Sequence, residues 1–331
     1  MAVHVAINGF GRIGRAVLKI AEDTPELEVV AINDIAASDQ LAYLLKYDSV
    51  YGRFEREVTQ ANGKLAIGGR QITVLNEKDP ARLPWRDMEI DLVFECTGIF
   101  KTRKDLEKHT EAGARNVLLS APAKGDDVPF IVPGVNEAEG ERILSTASCT
   151  TNCIAPVIEI IGRRIGLAKA TMTTVHAYTA SQNVIDGPAS KWRRGRAAAL
   201  SFIPTTTGAA KATTKALPEY EGRFDGVAIR GPVPDGSIAD ITAVTTRKST
   251  VEEVNRIFEE EAASNRYSGI LGVTHDPIVS ADIIKDPHGS IVDLTITQVV
   301  DGDLLKVMAW YDNEWGYAAQ MVRQAVRMVA H

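Results

Sequence analysis

Gly9-Phe10-Gly11-Arg12-Ile13-Gly14 comes directly after an apolar run and opens a helical stripe, and it constrains this chain more than any other segment. Glycines at this spacing permit a tight turn, close approach of the backbone to a pyrophosphate, and close contact between strand and helix. The helix N-terminus then offers N–H groups and the positive end of its dipole to an anion. The motif alone is a weak signal, and its surroundings give it weight. Val3 to Asn8 reads as a strand, Arg12 to Asp23 as a helix with Ile13, Val17, Ile20 and Ala21 on one stripe, and Leu27 to Asn33 as a second strand. That strand ends in Asn33-Asp34, where a carboxylate meets the ribose hydroxyls of an adenosine. The charge on Asp34 would repel a 2′-phosphate, which points to NAD as the preferred cofactor, while Ala36, Ala37 and Ser38 leave space that could admit NADP.

The alternation continues. Asp39 to Tyr47 reads as helix, and Ile90 to Cys96 and Ala114 to Ser120 as strands, so the first half predicts a parallel sheet covered by helices on both faces. The pattern changes after Cys149. Asn152 to Ile165 reads as helix, but strands then dominate: Ala170 to Ala177, Phe224 to Pro232, Ile238 to Thr246 and Ser290 to Val300. Asp301-Gly302 is a two-residue hairpin signal before Leu304 to Trp310. A helix from about Val251 to Ala263 starts at Ser249 or Thr250, with Glu252 and Glu253 placed for a capping box. Tyr317 to Val329 is a helix whose apolar face needs a partner, with the first domain a suitable one. The fold class is therefore an α/β dinucleotide-binding domain, then an α+β domain.

A chain of 331 residues suits two domains. The net charge of −6 is too mild for a nucleic-acid surface, and no apolar run approaches the roughly 18 residues of a membrane span. The N-terminus enters its first strand at once, leaving no room for a signal peptide. Three cysteines are too sparse for a disulfide framework and match no zinc motif. The expectation is a soluble, cytoplasmic enzyme with no metal.

Chemistry concentrates in Ser145-Thr146-Ala147-Ser148-Cys149-Thr150-Thr151-Asn152-Cys153, where the pattern switches between domains. Ser148 is a good N-cap, and the helix dipole is expected to lower the pKa of Cys149. A thiolate there could attack a carbonyl carbon, with hydroxyls and backbone N–H groups stabilising the oxyanion. Cys153 and Cys96 read as buried core residues. Of the histidines, His176 lies near a strand end and is the candidate partner; His109 falls in a charged helix, His275 and His288 in turns, and His4 in the first strand. Trp192-Arg193-Arg194-Gly195-Arg196 and Thr205-Thr206-Thr207-Gly208-Ala209-Ala210-Lys211 bring arginines, hydroxyls and a helix start, as phosphate recognition requires; a solvated basic face is the other reading of the arginines. Arg230 lies near the end of an apolar strand, where a charge needs a partner.

Together these residues resemble phosphorylating glyceraldehyde-3-phosphate dehydrogenase, from Asn8-Gly9-Phe10-Gly11-Arg12-Ile13-Gly14-Arg15 to Trp310-Tyr311-Asp312-Asn313-Glu314-Trp315-Gly316-Tyr317, with Ala147 to Asn152 and Thr205 to Lys211 the most specific stretches. The resemblance implies a Rossmann NAD-binding domain over 1–148, a catalytic domain with a mixed, largely antiparallel sheet over 149–313, and a C-terminal helix over 314–331 packing back on the first domain. It implies that Cys149 is the nucleophile and that His176 activates it and assists hydride transfer. Ser148, Thr150, Thr179, Arg196, Thr207, Gly208 and Arg230 would hold the substrate phosphate and inorganic phosphate. Gly9, Gly11, Arg12, Ile13, Asp34, Lys78, Ser120 and Asn313 would contact NAD. It also implies a homotetramer, with the segment after Thr179 lining a neighbour's cofactor pocket. Ala180-Ser181-Gln182 stands where Asn-Asp-Gln is usual, and Arg230-Gly231-Pro232 replaces Arg-Val-Pro; such changes bear on cofactor preference and subunit contacts. Erythrose-4-phosphate dehydrogenase is the nearest alternative, but its members depart from the Tyr178-Thr179 and Thr207-to-Lys211 patterns kept here. A nucleic-acid-binding role has only the arginine cluster for support.

Overall fold

The computed structural model describes residues 2–61, 63–138 and 140–330, so His331, the last residue of the predicted C-terminal segment, lies outside them. The chain divides into two compact units: Met1–Ile131 with Ala138–Ala147 and Met321–His331, and Val132–Glu137 with Ser148–Gln320.

In the first unit, six strands run parallel in the order Ile143–Ser145, Asn116–Leu119, Leu92–Glu95, Val3–Asn8, Leu27–Asn33, Arg70–Leu75. The chain builds outward from Val3–Asn8 on one side, then returns to its other side with Leu92–Glu95. This reversal opens a crevice at the C-terminal ends of the central strands, the usual ligand position in such sheets. Leu92–Glu95 is buried at every position, as expected for a strand covered on both faces. Ala6, Ala31, Trp85, Ile90 and Val93 pack in one cluster, and Leu106, Val117, Leu119 and Ile143 in another. The antiparallel strands Lys64–Ile67 and Val58–Ala61 extend the sheet beyond Arg70–Leu75. The sequence pattern does not reveal them, because short runs of mixed polarity carry little period-2 signal.

The second unit has a mixed sheet in the order Ile203–Thr206, Phe224–Gly231, Leu167–Ala177, Ser237–Thr245, Leu304–Tyr311, Ser290–Asp293, Leu271–Thr274. Leu167–Ala177 pairs parallel with Phe224–Gly231, and Leu271–Thr274 parallel with Ser290–Asp293; the other neighbours are antiparallel. Ser237–Thr245 alternates between buried and half-buried residues, and Ala239, Ile241 and Ala243 turn inward. The helix Cys149–Arg164 packs there with Ile154, Val157, Ile158 and Ile161. The predicted strand Ser290 to Val300 is broken. Asp293 accepts a hydrogen bond from Thr295 N (3.1 Å), which winds Leu294–Ile296 into a 3₁₀ turn before Gln298–Val300 resumes pairing. Thr250, rather than Ser249, caps the helix Val251–Ala262 by accepting from Glu253 N at 3.2 Å. The Glu253 carboxylate does not complete a box; it pairs with Arg247 at 2.9 Å.

Candidate active site

Cys149 is the first residue of its helix, as Ser148 at the N-cap predicts, although the apolar stripe alone reads as helix only from Asn152. Ser148 caps that helix, its Oγ accepting from Thr151 N at 3.1 Å. Leu167–Ala177 carries His176 near its C-terminal end. The two elements bring Cys149 Sγ to 3.4 Å from His176 Nε2. On the far side of the ring, Nδ1 lies 2.7 Å from the Ala177 carbonyl oxygen and 2.7 Å from Arg230 Nη1. Donation from Nδ1 to that carbonyl leaves the Nε2 lone pair facing the sulfur. Arg230 Nη1 then donates to the same oxygen (3.0 Å) and meets Nδ1 as a neighbouring charge.

Burial dominates the electrostatics. It pushes the Cys149 thiol up to about 11, against the opposing pull of Arg230 and of hydrogen bonds from Thr150. The lowering expected from the helix dipole is outweighed by the cost of removing a thiolate from water. Burial, joined by Arg230, pushes His176 down to about 3. Each group alone is therefore neutral near pH 7, and charge can appear only as a proton passes between them. Tyr311 fixes their spacing. Its hydroxyl lies 2.9 Å from Thr150 Oγ1 and 2.8 Å from Thr174 Oγ1, tying the cysteine helix to the histidine strand, and its ring presents an edge contact to His176.

The predicted anion residues divide. Arg230 touches His176, and Thr179 Oγ1 lies 2.8 Å from Ser181 Oγ. Arg194 reaches both Ser181 Oγ (3.3 Å) and Thr205 Oγ1 (3.2 Å), and its charge lowers the pKa of His176. Arg196 turns away: it is 66% exposed in its side chain and pairs with Asp186 at 2.7 Å. Arg194, not Arg196, thus joins the cysteine–histidine group. The two lie two residues apart at a single 3₁₀ turn (Trp192–Gly195), so one faces inward and the other outward. Half-burial of one member of a basic cluster is the deciding signal, and sequence does not carry it. Thr207 Oγ1 accepts from Ala209 N at 3.1 Å, and Gly208 is the N-cap of Ala209–Ala216. Asn313 accepts from Ser237 Oγ at 2.6 Å, which leaves its amide N–H₂ as donor.

The first unit holds the glycine turn. Gly9 has φ +91°, and a Cβ there would meet Thr97 N at 2.5 Å; a Cβ on Gly14 would strike the Gly9 carbonyl oxygen. Both positions therefore require glycine. Around a Cβ at Gly11 there is open space, so backbone at the helix start is accessible to a bulky anion. Gly11 caps Arg12–Ala21 without a side chain. Asp34 is held by Phe10 N (2.7 Å) and Ala36 N (2.9 Å). Arg12 pairs with Asp48 at 2.7 Å and covers the Tyr51 ring, Ile13 and Ser120 are half-buried, and Lys78 is exposed. Asp48 is a partner that the sequence does not reveal.

A parallel sheet with a Gly-x-Gly-x-x-Gly turn, joined to a unit with a helix-capped cysteine facing a histidine, defines a two-domain, dinucleotide-binding class. Residues 3–103 match the family described as glyceraldehyde 3-phosphate dehydrogenase, NAD binding domain, and residues 148–313 its C-terminal domain. The chain is 47% identical over 327 residues to glyceraldehyde-3-phosphate dehydrogenase of Clostridium acetobutylicum, covering 96% of each chain. It is 46% identical over 334 residues to glyceraldehyde-3-phosphate dehydrogenase 2 of Bacillus subtilis (100% and 97% covered), and 47% identical over 325 residues to the Haloarcula vallismortis enzyme of the same name (97% and 96%). The chain belongs to the glyceraldehyde 3-phosphate dehydrogenase family.

Proposed function

We propose that the chain oxidises D-glyceraldehyde 3-phosphate to 1,3-bisphosphoglycerate with NAD and inorganic phosphate, through a thiohemiacetal and then a thioester on Cys149. The observation that carries this reading is the 3.4 Å approach of Cys149 Sγ to His176 Nε2 at the start of a helix. The glycine turn suits the dinucleotide, with its second glycine open and its first and third closed to any side chain. Gly9, Gly11, Arg12 and Ile13 would hold the pyrophosphate, Asp34 the ribose, and Lys78, Ser120 and Asn313 the rest of the cofactor. When bound, the nicotinamide supplies the hydride acceptor.

The chain's own residues do the remaining work. Cys149 Sγ bonds to the aldehyde carbon as its proton passes to His176 Nε2 and on to the new oxyanion. In the oxidation, the C–H leaves as hydride and the O–H proton goes to Nε2. A phosphate oxygen then attacks the thioester, the C–S bond breaks, and the departing Cys149 thiolate recovers a proton from His176. Arg230, Arg194, Thr179, Thr207 and Gly208 would hold the two phosphate groups, with Arg194 in the role that the family resemblance implies for Arg196. The hydroxyls of Ser148 and Thr150 are engaged by Thr151 and Tyr311, so these two residues would contribute chiefly by shaping the helix start.

The test is NAD reduction followed at the nicotinamide absorbance band, with glyceraldehyde 3-phosphate plus phosphate. Turnover should require phosphate or arsenate, exceed that with erythrose 4-phosphate, and favour NAD over NADP by more than about tenfold, since a fixed carboxylate near a 2′-phosphate costs on the order of 1–4 kcal/mol. No turnover by protein that binds NAD would reject the aldehyde; a preference for NADP would reject the role of Asp34.

A homotetramer in the cytoplasm is proposed with it. Val184, Ile185, Trp192, Leu200 and Phe202 are large, apolar and exposed within one short segment, a pattern of surfaces that pair. Light scattering should give four times the 35.8 kDa chain mass, and a monomer would reject the assembly. All three cysteines are free, which suits a reducing compartment. No described helix is long and apolar enough to cross a membrane. Arg194 and Arg196 have polar partners within the fold, which weighs against a nucleic-acid surface as the main role.

A further inference from the structure

Three side chains stand in a row at the rim of the first unit's sheet. Asn8 is the register partner of Asn33 on one side and of Glu95 on the other, and each ends its strand. They are almost wholly buried: Asn8 is 1%, Asn33 4% and Glu95 0% exposed. A buried carboxylate needs its lone pairs filled, and Glu95 has four donors. Oε1 accepts from Thr97 N (2.8 Å) and from Thr97 Oγ1. Oε2 accepts from Asn8 Nδ2 (2.6 Å) and from His109 Nε2 (3.1 Å). Trp85 Nε1 donates to His109 Nδ1 at 3.0 Å, so the ring proton must be on Nε2. Asn8 Oδ1 in turn accepts from Asn33 Nδ2 (2.7 Å), and Asn33 Oδ1 accepts from Glu77 N (2.8 Å). Asn33 Nδ2 also donates to the Glu77 carbonyl oxygen (2.9 Å), which fixes its amide; the chain Asn33 to Asn8 to Glu95 then runs one way, and neither amide can reverse without stranding the next.

Each of the three strand ends continues into a segment assigned to the dinucleotide site. Gly9 comes after Asn8, Asp34 after Asn33, and Thr97 N backs directly on Gly9. We propose that Glu95 is the positioning residue of the dinucleotide site: one buried acceptor that sets the strand ends carrying the glycine turn, the ribose carboxylate and the wall behind the turn. This rests on the reading of that crevice as the NAD site. A structural role alone would affect how much protein folds, whereas a positioning role changes how the folded protein grips NAD.

Glu95→Gln is the decisive change, being equal in size but bringing an N–H₂ group against Asn8 Nδ2 and His109 Nε2. In the full chain, the KM and dissociation constant for NAD should rise about tenfold to a hundredfold, with kcat and the KM for the aldehyde within about twofold of wild type. Adding Asn8→Asp to Glu95→Gln gives the new amide an acceptor while keeping one for Asn33, and should recover most of the lost NAD affinity. Should Glu95→Gln fail to fold, Thr97→Val removes one donor at a less buried position and should raise the NAD dissociation constant a few fold. Unchanged NAD affinity in a folded Glu95→Gln or Thr97→Val protein overturns the proposal, as does a fall in kcat with the NAD KM intact. A wild type that fails to bind NAD by equilibrium dialysis would overturn the reading beneath it, an outcome distinct from a variant that binds normally.

Discussion

Cys149→Ser is expected to retain NAD binding and lose turnover by about ten-thousand-fold to a million-fold, the range seen when a covalent nucleophile is removed. The substitution keeps the helix start, because the cap is Ser148 rather than residue 149. It removes the soft, polarisable sulfur that can form and leave a thioester. Serine must lose a far less acidic proton to a base that burial has already made weak. The other thiols cannot substitute. Cys153 is wholly buried, with its sulfur against Ser290 and the Ala309 carbonyl, and burial raises both its pKa and that of Cys96 above the ordinary thiol value. The check is a single-turnover measurement of NAD reduction beside an NAD titration of the same sample. Turnover by Cys149→Ser within a hundredfold of wild type would move the nucleophile elsewhere.

The parts of this site that can be read from sequence are those made by neighbours in sequence. A strand, a glycine turn and a helix start are contiguous, as are Ser148 and the thiol it presents. Alternating segments anticipate the parallel sheet for the same reason: strand and helix periods are local. The illegible parts depend on residues far apart along the chain. Glu95, His109 and Trp85 meet only because the sheet registers Glu95 beside Asn8 and lays the helix Arg103–Glu111 over it, so His109 reads in isolation as one more polar residue in a charged helix. Tyr311 meets Thr150 across 161 positions of sequence. The exchange of Arg196 for Arg194 has another origin. Both have the same chemistry and nearly the same place, and only the 3₁₀ turn decides which guanidinium stays with Ser181 and Thr205.

His176→Asn separates the two functions of the pair, because asparagine can accept a hydrogen bond from the thiol but cannot take its proton. In wild type, a thiol raised to about 11 and an imidazole lowered to about 3 are both neutral near pH 7. Attack therefore proceeds by direct transfer across the 3.4 Å contact, without exchange with solvent. Opposite charges formed together at that distance offset much of the burial that each would suffer alone. Without the imidazole, the thiolate can form only by losing its proton to solvent. A thiol near 11 is ionised to roughly one part in ten thousand at pH 7, and that fraction rises tenfold per pH unit. Arg230 remains as the nearby cation but has no lone pair to receive the proton, while Asp235 acts in the opposite sense. The expected result is alkylation of Cys149 by iodoacetamide slowed about a hundredfold to ten-thousand-fold at pH 7, climbing steadily to pH 10, against a much flatter wild-type profile. NAD-linked turnover should fall by a similar factor, since His176 also takes the proton that accompanies hydride loss. If the variant were alkylated at the wild-type rate with the same profile, Arg230 and the helix start alone would be sufficient to activate the sulfur, and the histidine would be left with the oxidation step only.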